Sequence, residues 1–253
     1  MTETDKTLDS FDLLRATVKD RSGVLRNRYV TALESGELER DDFVESQTQF
    51  LFAVVFFSRP MAVLAGRLPR PEMRLALLDN VLDEHGHGNP SLTHERTFLE
   101  LLGRFGMTPA QIEGRALWPE VRAFNTALTG LCTMDDTYTA LAALGIIEDS
   151  FATLSARIGQ ALVARGWLPA ERVVHYALHE ELDVLHAEGF YRTLRVPFAA
   201  HPRHRYQIAQ GLELGAYLFR ALYDGLYDAR GRRWLRDVGG PHSLAEGWWL
   251  DSP

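Results

Sequence analysis

The nine histidines of this 253-residue chain are unevenly spread: His85, His87 and His94 share one window, and His175, His179 and His186 share another. The second window reads His179-Glu-Glu-Leu-Asp183-Val-Leu-His186. On a helix turning about 100° per residue, Asp183 lies about 40° from His179, and His186 about 20° the other way. The three side chains therefore leave one narrow stripe. Two imidazoles and a carboxylate on one stripe make half of a site for Fe, Mn or Zn. The plain alternative is a solvated polar face that carries histidines by chance.

Two further stretches supply matching chemistry. Glu148 has Leu144, Gly145, Phe151 and Ala152 as its helical neighbours. An ionised carboxylate on such a face is costly unless it is paired with an arginine or bound to a metal. The first histidine window, Asn80-Val-Leu-Asp-Glu84-His-Gly-His-Gly-Asn-Pro-Ser-Leu-Thr-His94, runs out of a helix through two glycines and a proline. Glu84 ends that helix and His94 opens the next apolar stretch. The spacing Glu84-His-Gly-His87 makes His87 a competitor of His94 for one ligand position. The candidate ligands are Glu84, His94 or His87, Glu148, His179, Asp183 and His186. Three carboxylates and three neutral imidazoles suit two divalent ions. Such a set would leave a residual positive charge that favours O2-derived anions or an anionic substrate group.

These residues must be held by helices. Apolar residues recur at three and four nearly throughout, and no alternating strand pattern appears. The pattern predicts helices near 9–20, 24–35, 41–67, 71–85, 92–104, 118–131, 136–165, 170–193 and 203–229. Gly36, Pro69, Pro71, the Gly86–Pro90 stretch, Gly106, Gly166, Pro197 and Pro202 separate them, and Pro60 is expected to kink or break the third. Pro71 and Pro169 suit first-turn positions. The expected fold is all-α, a single domain over residues 1–253 with a core from about 8 to 230. The tail over 239–253 carries Trp248 and Trp249, which should pack on the body or on a partner subunit.

Composition removes several classes of function. Acidic residues number 34 against 27 basic, a net charge of −7, which argues against a nucleic-acid binder. With 46% hydrophobic and 24% charged residues the chain reads as a globule rather than a disordered segment. The single Cys132 allows no internal disulfide and no thiolate zinc cluster. The N-terminus, Met-Thr-Glu-Thr-Asp-Lys, has no signal-peptide pattern, and the longest apolar run, Phe50 to Phe57, is too short to span a bilayer. A cytoplasmic protein with no membrane partner is expected.

The order Glu84, a glycine-rich break, His94, then Glu148 and a late His179-x-x-x-Asp183-x-x-His186 resembles the heme-oxygenase-like diiron oxidases, over about Phe43 to Tyr227. The resemblance implies a seven-helix heme-oxygenase-like bundle, a homodimer, two Fe(II) ions and O2 as cosubstrate, although the same ligands also suit a Mn/Fe pair. It favours His94 over His87. Ferritin-like sites need two Glu-x-x-His motifs, a heme oxygenase needs an earlier histidine than His85, and thiaminase-type relatives use a cysteine whose surroundings Cys132 does not share.

Some N-oxygenating and alkene-forming members of that family add a carboxylate ligand from the helix matching residues 41–67. Here no Asp or Glu occurs between Ser46 and Pro71, and Phe50, Val54 and Phe57 stand at the facing positions. The resulting expectation is an oxidase that abstracts an aliphatic C–H hydrogen from a free amino acid or similar small molecule, giving desaturation, C–C cleavage or cyclisation. The alternatives are a diiron N-oxygenase of an amine, a fatty-acid decarboxylase, and a metal-free enzyme on the same fold. Substrate contacts are expected from His175, Arg59, Gln49 and Phe57, and from Glu213, Tyr217 and Arg220 on one face of the last long helix. Arg220 could clamp a carboxylate through two parallel hydrogen bonds.

Overall fold

The computed structural model describes residues 3–237, apart from the side chains of residues 3–9, Val174, Glu180 and Glu181. The helices are α1 (Glu3–Ser22), α2 (Arg28–Ser35), α3 (Arg40–Arg67), α4 (Pro71–Glu84), α5 (His94–Arg104), α6 (Pro109–Glu113), α7 (Pro119–Met134), α8 (Thr137–Ala164), α9 (Val174–Ala200) and α10 (Pro202–Asp228). Short 3-10 turns lie at Val24–Arg26, Gly86–Gly88, Pro90–Leu92 and Ala170–Arg172. Local chemistry sets the boundaries. Asn27, Thr93 and Asp136 each accept a backbone N–H at the start of α2, α5 and α8. The residues before Pro71, Pro109, Pro119 and Pro202 are extended, as a following proline requires.

α8 is apolar on nearly every side and forms the centre of the bundle, packed between α9 and α10. Gly211 and Gly215 on α10 let that helix lie against the α8 backbone, because a Cβ at either position would collide with the carbonyl oxygen of Thr139 or Ala143. α3 packs on α4, α5 and α7 along the other side. α3 and α8 are long and apolar enough to cross a membrane by composition, which the unbroken apolar run alone did not suggest. Their apolar windows are 67% and 83% buried inside the bundle, as in core helices of a globule. A buried polar chain braces the core: Tyr29 bonds Ser46 at 2.8 Å, Gln47 donates to the Tyr29 oxygen at 2.7 Å, and Tyr176 donates to Gln47.

Two expected breaks are absent. α3 runs through Pro60 and α9 runs through Pro197, so neither proline ends its helix. A proline removes one backbone bond, and burial of the flanking turns in the core outweighs that loss. α9 instead ends before Pro202, where His201 is extended, and begins at Val174 rather than at residue 170. The sequence pattern missed α6, although Thr108, Pro109 and Gln111 form a full capping box there. The tail from 239, with Trp248 and Trp249, lies outside the described residues.

Candidate metal centre

Four helices converge on one buried polar cluster in the bundle. The last turn of α4 brings Glu84, the first turn of α5 brings His94, the middle of α8 brings Glu148, and α9 brings His179, Asp183 and His186. All six side chains are almost wholly shielded from solvent. The glycine-rich break makes the first pairing possible. Gly86, His87 and Gly88 all take positive φ, and a Cβ on Gly86 would meet the Leu92 carbonyl carbon at 2.7 Å. The chain thereby turns back so that His94 reaches the end of its neighbouring helix.

The carboxylate and imidazole atoms of Glu148, Asp183 and His186 lie within 4.8 Å of one another. His186 Nδ1 is 3.7 Å from Asp183 Oδ1 and 3.9 Å from Glu148 Oε2. The other three residues join this triad pairwise. His94 Nδ1 stands 2.9 Å from Glu84 Oε1, the His94 and His179 rings are 4.3 Å apart, and His179 Nδ1 donates to Asp183 at 2.9 Å. His94 Nδ1, His179 Nε2 and His186 Nδ1 are buried and have no hydrogen-bond partner among the described residues, and the same holds for Nε2 of the neighbouring His175. Buried polar atoms are rarely left so. His87 lies elsewhere: it is exposed and pairs with Asp83.

The electrostatics are those of a compact charge cluster. Burial lowers the His186 imidazole, but the Asp183, Glu148 and Asp83 carboxylates outweigh it and push it up to about 11. Burial likewise opposes charge on His94, and Glu84 overrides it upward. Burial, reinforced by Asp183, raises the Glu148 carboxyl. His175 sits behind His179 with its ring 4.4 Å away, and burial holds it well below the ordinary histidine value. Thr97 donates to the His94 carbonyl at 3.0 Å, so its oxygen accepts from His175 Nδ1–H at 2.9 Å. His175 is thus a neutral packing partner of the cluster.

Other expected contacts fall differently. Phe57 lines an apolar cavity of about 40 Å³ with Phe50, Val54, Phe124, Phe151 and Phe219, and Glu84, Glu148 and His179 reach into it. Arg59 lines a neighbouring groove of about 340 Å³ with Ser58, Glu95 and Arg96; cavity and groove share Val54 and Glu84. Burial raises the Glu95 carboxyl to about 7, although Arg59 pulls it down. Gln49 is not at the cluster. Its amide is used up holding the α6–α7 connection, donating to the Ala116 carbonyl at 3.0 Å and accepting from Trp118 N–H at 2.8 Å. Glu213, Tyr217 and Arg220 share a face as expected, but that face is the outer side of α10: Glu213 pairs with Arg21, Arg220 donates to the Ser22 carbonyl, and Tyr217 is exposed. Glu213 and Arg220 bind the N-terminal helix, and none of the three reaches the cluster.

Two residues escaped the sequence reading. Asn80 Nδ2 donates to Glu148 Oε1 at 2.7 Å, and Asp83 Oδ2 accepts from His186 Nε2 at 2.8 Å. Their signal was spacing, since both precede Glu84 within one turn of α4.

The chain belongs to the family of iron-containing redox enzymes, whose sequence model matches residues 44–220. A search of curated protein sequences found no match. Among solved structures it is similar to a domain of unknown function with a heme oxygenase-like fold from Shewanella denitrificans (13% identity, 88% of this chain and 93% of that chain, TM-score 0.70). It is also similar to a TenA homologue from Pseudomonas syringae (14%, 86% and 92%, TM-score 0.70). A CADD-like protein of unknown function from Nostoc punctiforme also matches (14%, 87% and 98%, TM-score 0.67). These likenesses define a single-domain, all-α, heme-oxygenase-like bundle, a fold that hosts varied chemistry.

Proposed function

We propose that this protein is a non-heme diiron oxidase that uses O2 to break an aliphatic C–H bond of a small molecule. The observation that carries the reading is the convergence of Glu148, Asp183 and His186 within 4.8 Å of one another, beside His94 and His179, whose Nδ1 and Nε2 lack a hydrogen-bond partner among the described residues. Glu148, Asp183 and His186 would hold one ion, and Glu84, His94 and His179 would complete a second. Two ferrous ions held there would supply the electrons that activate O2, and a Mn/Fe pair would use the same donors.

The protein's own residues do the rest. The phenylalanine-lined cavity gives the reacting position an apolar wall, and its volume of about 40 Å³ suits O2 or a few waters rather than a whole substrate. The adjoining groove is large enough for a small ligand. Its half-buried Arg59, with Arg96 beside it, offers a cationic wall for a substrate carboxylate, which supports an amino acid as substrate. An amine N-oxygenase and a fatty-acid decarboxylase are less favoured, because the α3 positions facing the cavity are Phe50, Val54 and Phe57 and offer no further carboxylate. A homodimer, as the resemblance implies, has an available apolar stripe in the exposed Leu75, Leu78 and Leu82 of α4.

The test is O2 consumption by the Fe(II)-loaded protein across a panel of amino acids, amines and fatty acids. Substrate-triggered uptake supports the proposal. A second reading, a metal-free enzyme on the same fold, draws on the similarity to a putative TenA-like thiaminase from Sulfolobus solfataricus, since thiaminase-type relatives use a cysteine. It requires full activity after exhaustive chelation. A cysteine nucleophile would serve it poorly, since Cys132 is buried and burial pushes its thiol up to about 12.

A further inference from the structure

We infer that the last turn of α4 is an orienting clamp, in which Asp83 and Asn80 fix the donor atoms that His186 and Glu148 present to a metal. The inference rests on the diiron reading. Neither residue belongs to the candidate ligand set, yet each grips a ligand carried by a different helix.

The geometry specifies what each grip does. Asp83 Oδ2 lies 2.8 Å from His186 Nε2. A carboxylate only accepts, so Nε2 carries the proton. That leaves Nδ1 as the donor atom for a metal, and Nδ1 is the atom that faces Asp183 at 3.7 Å and Glu148 at 3.9 Å. The other Asp83 oxygen is held by the exposed His87 at the helix break. Asn80 works on the second ligand in the same way. Its amide donates to Glu148 Oε1 at 2.7 Å, which turns Oε2 toward His186. Helical geometry puts residues 80, 83 and 84 within about 100° of one another, so one turn presents a ligand, Glu84, and orients two more. The break that begins at His85 limits how far this turn is braced by its own helix, and the two cross-helix bonds supply the bracing.

Partners of this kind set ligand tautomer and ring direction, and losing one lowers metal affinity about 10–100-fold. Asp83 and Asn80 are therefore positioning residues, and metal affinity measures their contribution without turnover. The test titrates Co(II) anaerobically into wild type, Asp83→Ala, Asp83→Asn and Asn80→Ala, following the ligand-field absorption, with far-UV circular dichroism of each metal-free protein. The expected result is native helicity in all four, affinity lowered 10–100-fold in Asp83→Ala and Asn80→Ala, and a smaller loss in Asp83→Asn, whose amide oxygen still accepts from Nε2–H. Should Asp83→Ala and Asn80→Ala bind with wild-type affinity and an unchanged spectrum, the clamp is overturned. A wild type that binds no Co(II) overturns instead the metal reading on which the clamp rests.

Discussion

His94 Nδ1 and Glu84 Oε1 stand 2.9 Å apart across the glycine-rich break, yet out of line for a hydrogen bond. The separation is that of an ion pair, and two ligands each about 2.1 Å from one shared ion would stand about as close. His87, two residues into the break from His85, is exposed and takes no part. Replacing His94 by Ala should therefore remove at least one bound Fe(II) per chain, while replacing His87 by Ala should leave iron content unchanged. Iron analysis of both variants after anaerobic loading decides between them, and the reverse pattern would mean that the break presents the wrong histidine here.

The charge on His186 gives a pH dependence with a definite sign. Its folded value is pushed up to about 11, well above the ordinary histidine value of about 6.5. Protonation stabilises the metal-free fold fully below the ordinary value, and that contribution is lost as pH rises through the folded value. A metal must displace this proton, so apparent metal affinity should rise with pH as far as the folded value of about 11. Titration calorimetry in two buffers of different ionisation enthalpy should show proton release on binding, and zero release at pH 7.5 would contradict the assignment of His186 as a ligand.

Much of this site was legible in the sequence. His179, Asp183 and His186 shared one helical face by arithmetic alone, and Glu148 stood out as a carboxylate among apolar neighbours. Helix period does not say which face looks inward, so Glu213, Tyr217 and Arg220 formed an equally regular stripe that turned out to face α1. Gln49 failed for a related reason: a buried amide satisfies backbone groups wherever a loop crosses it, and the loop at Ala116–Trp118 is far away in sequence. Asn80 and Asp83 were hidden because their partners lie 68 and 103 residues further along the chain. Pro60 and Pro197 show the same limit, since a local breaker yields to packing that only the folded bundle reveals.

Packing of α10 on α8 predicts where the fold is least tolerant. Gly211→Ala and Gly215→Ala each place a methyl group against backbone carbonyls of α8 that cannot rotate away. Overpacking of this kind costs about 1–3 kcal/mol or more, enough to lower the melting temperature by a few degrees. Gly130→Ala, where a Cβ meets open space, is the control and should be neutral or mildly stabilising. Thermal unfolding of the three variants checks the order.

Arg59 offers a direct probe of the substrate class. If the groove holds a carboxylate on Arg59, Arg59→Ala should weaken binding by about 1.5–3 kcal/mol, a rise in KM of roughly tenfold to a hundredfold. Iron content should not change. An unaltered KM with the substrate that triggers O2 uptake would move the carboxylate away from Arg59.

The most direct test of the account is the number of ferrous ions bound per chain at saturation, measured anaerobically on wild type and Glu148→Ala by equilibrium titration. Three buried carboxylates and three buried imidazoles predict about two ions for wild type, with at least one of them lost in Glu148→Ala. A wild-type stoichiometry of zero, or a Glu148→Ala protein that binds iron as wild type does, would contradict the diiron centre.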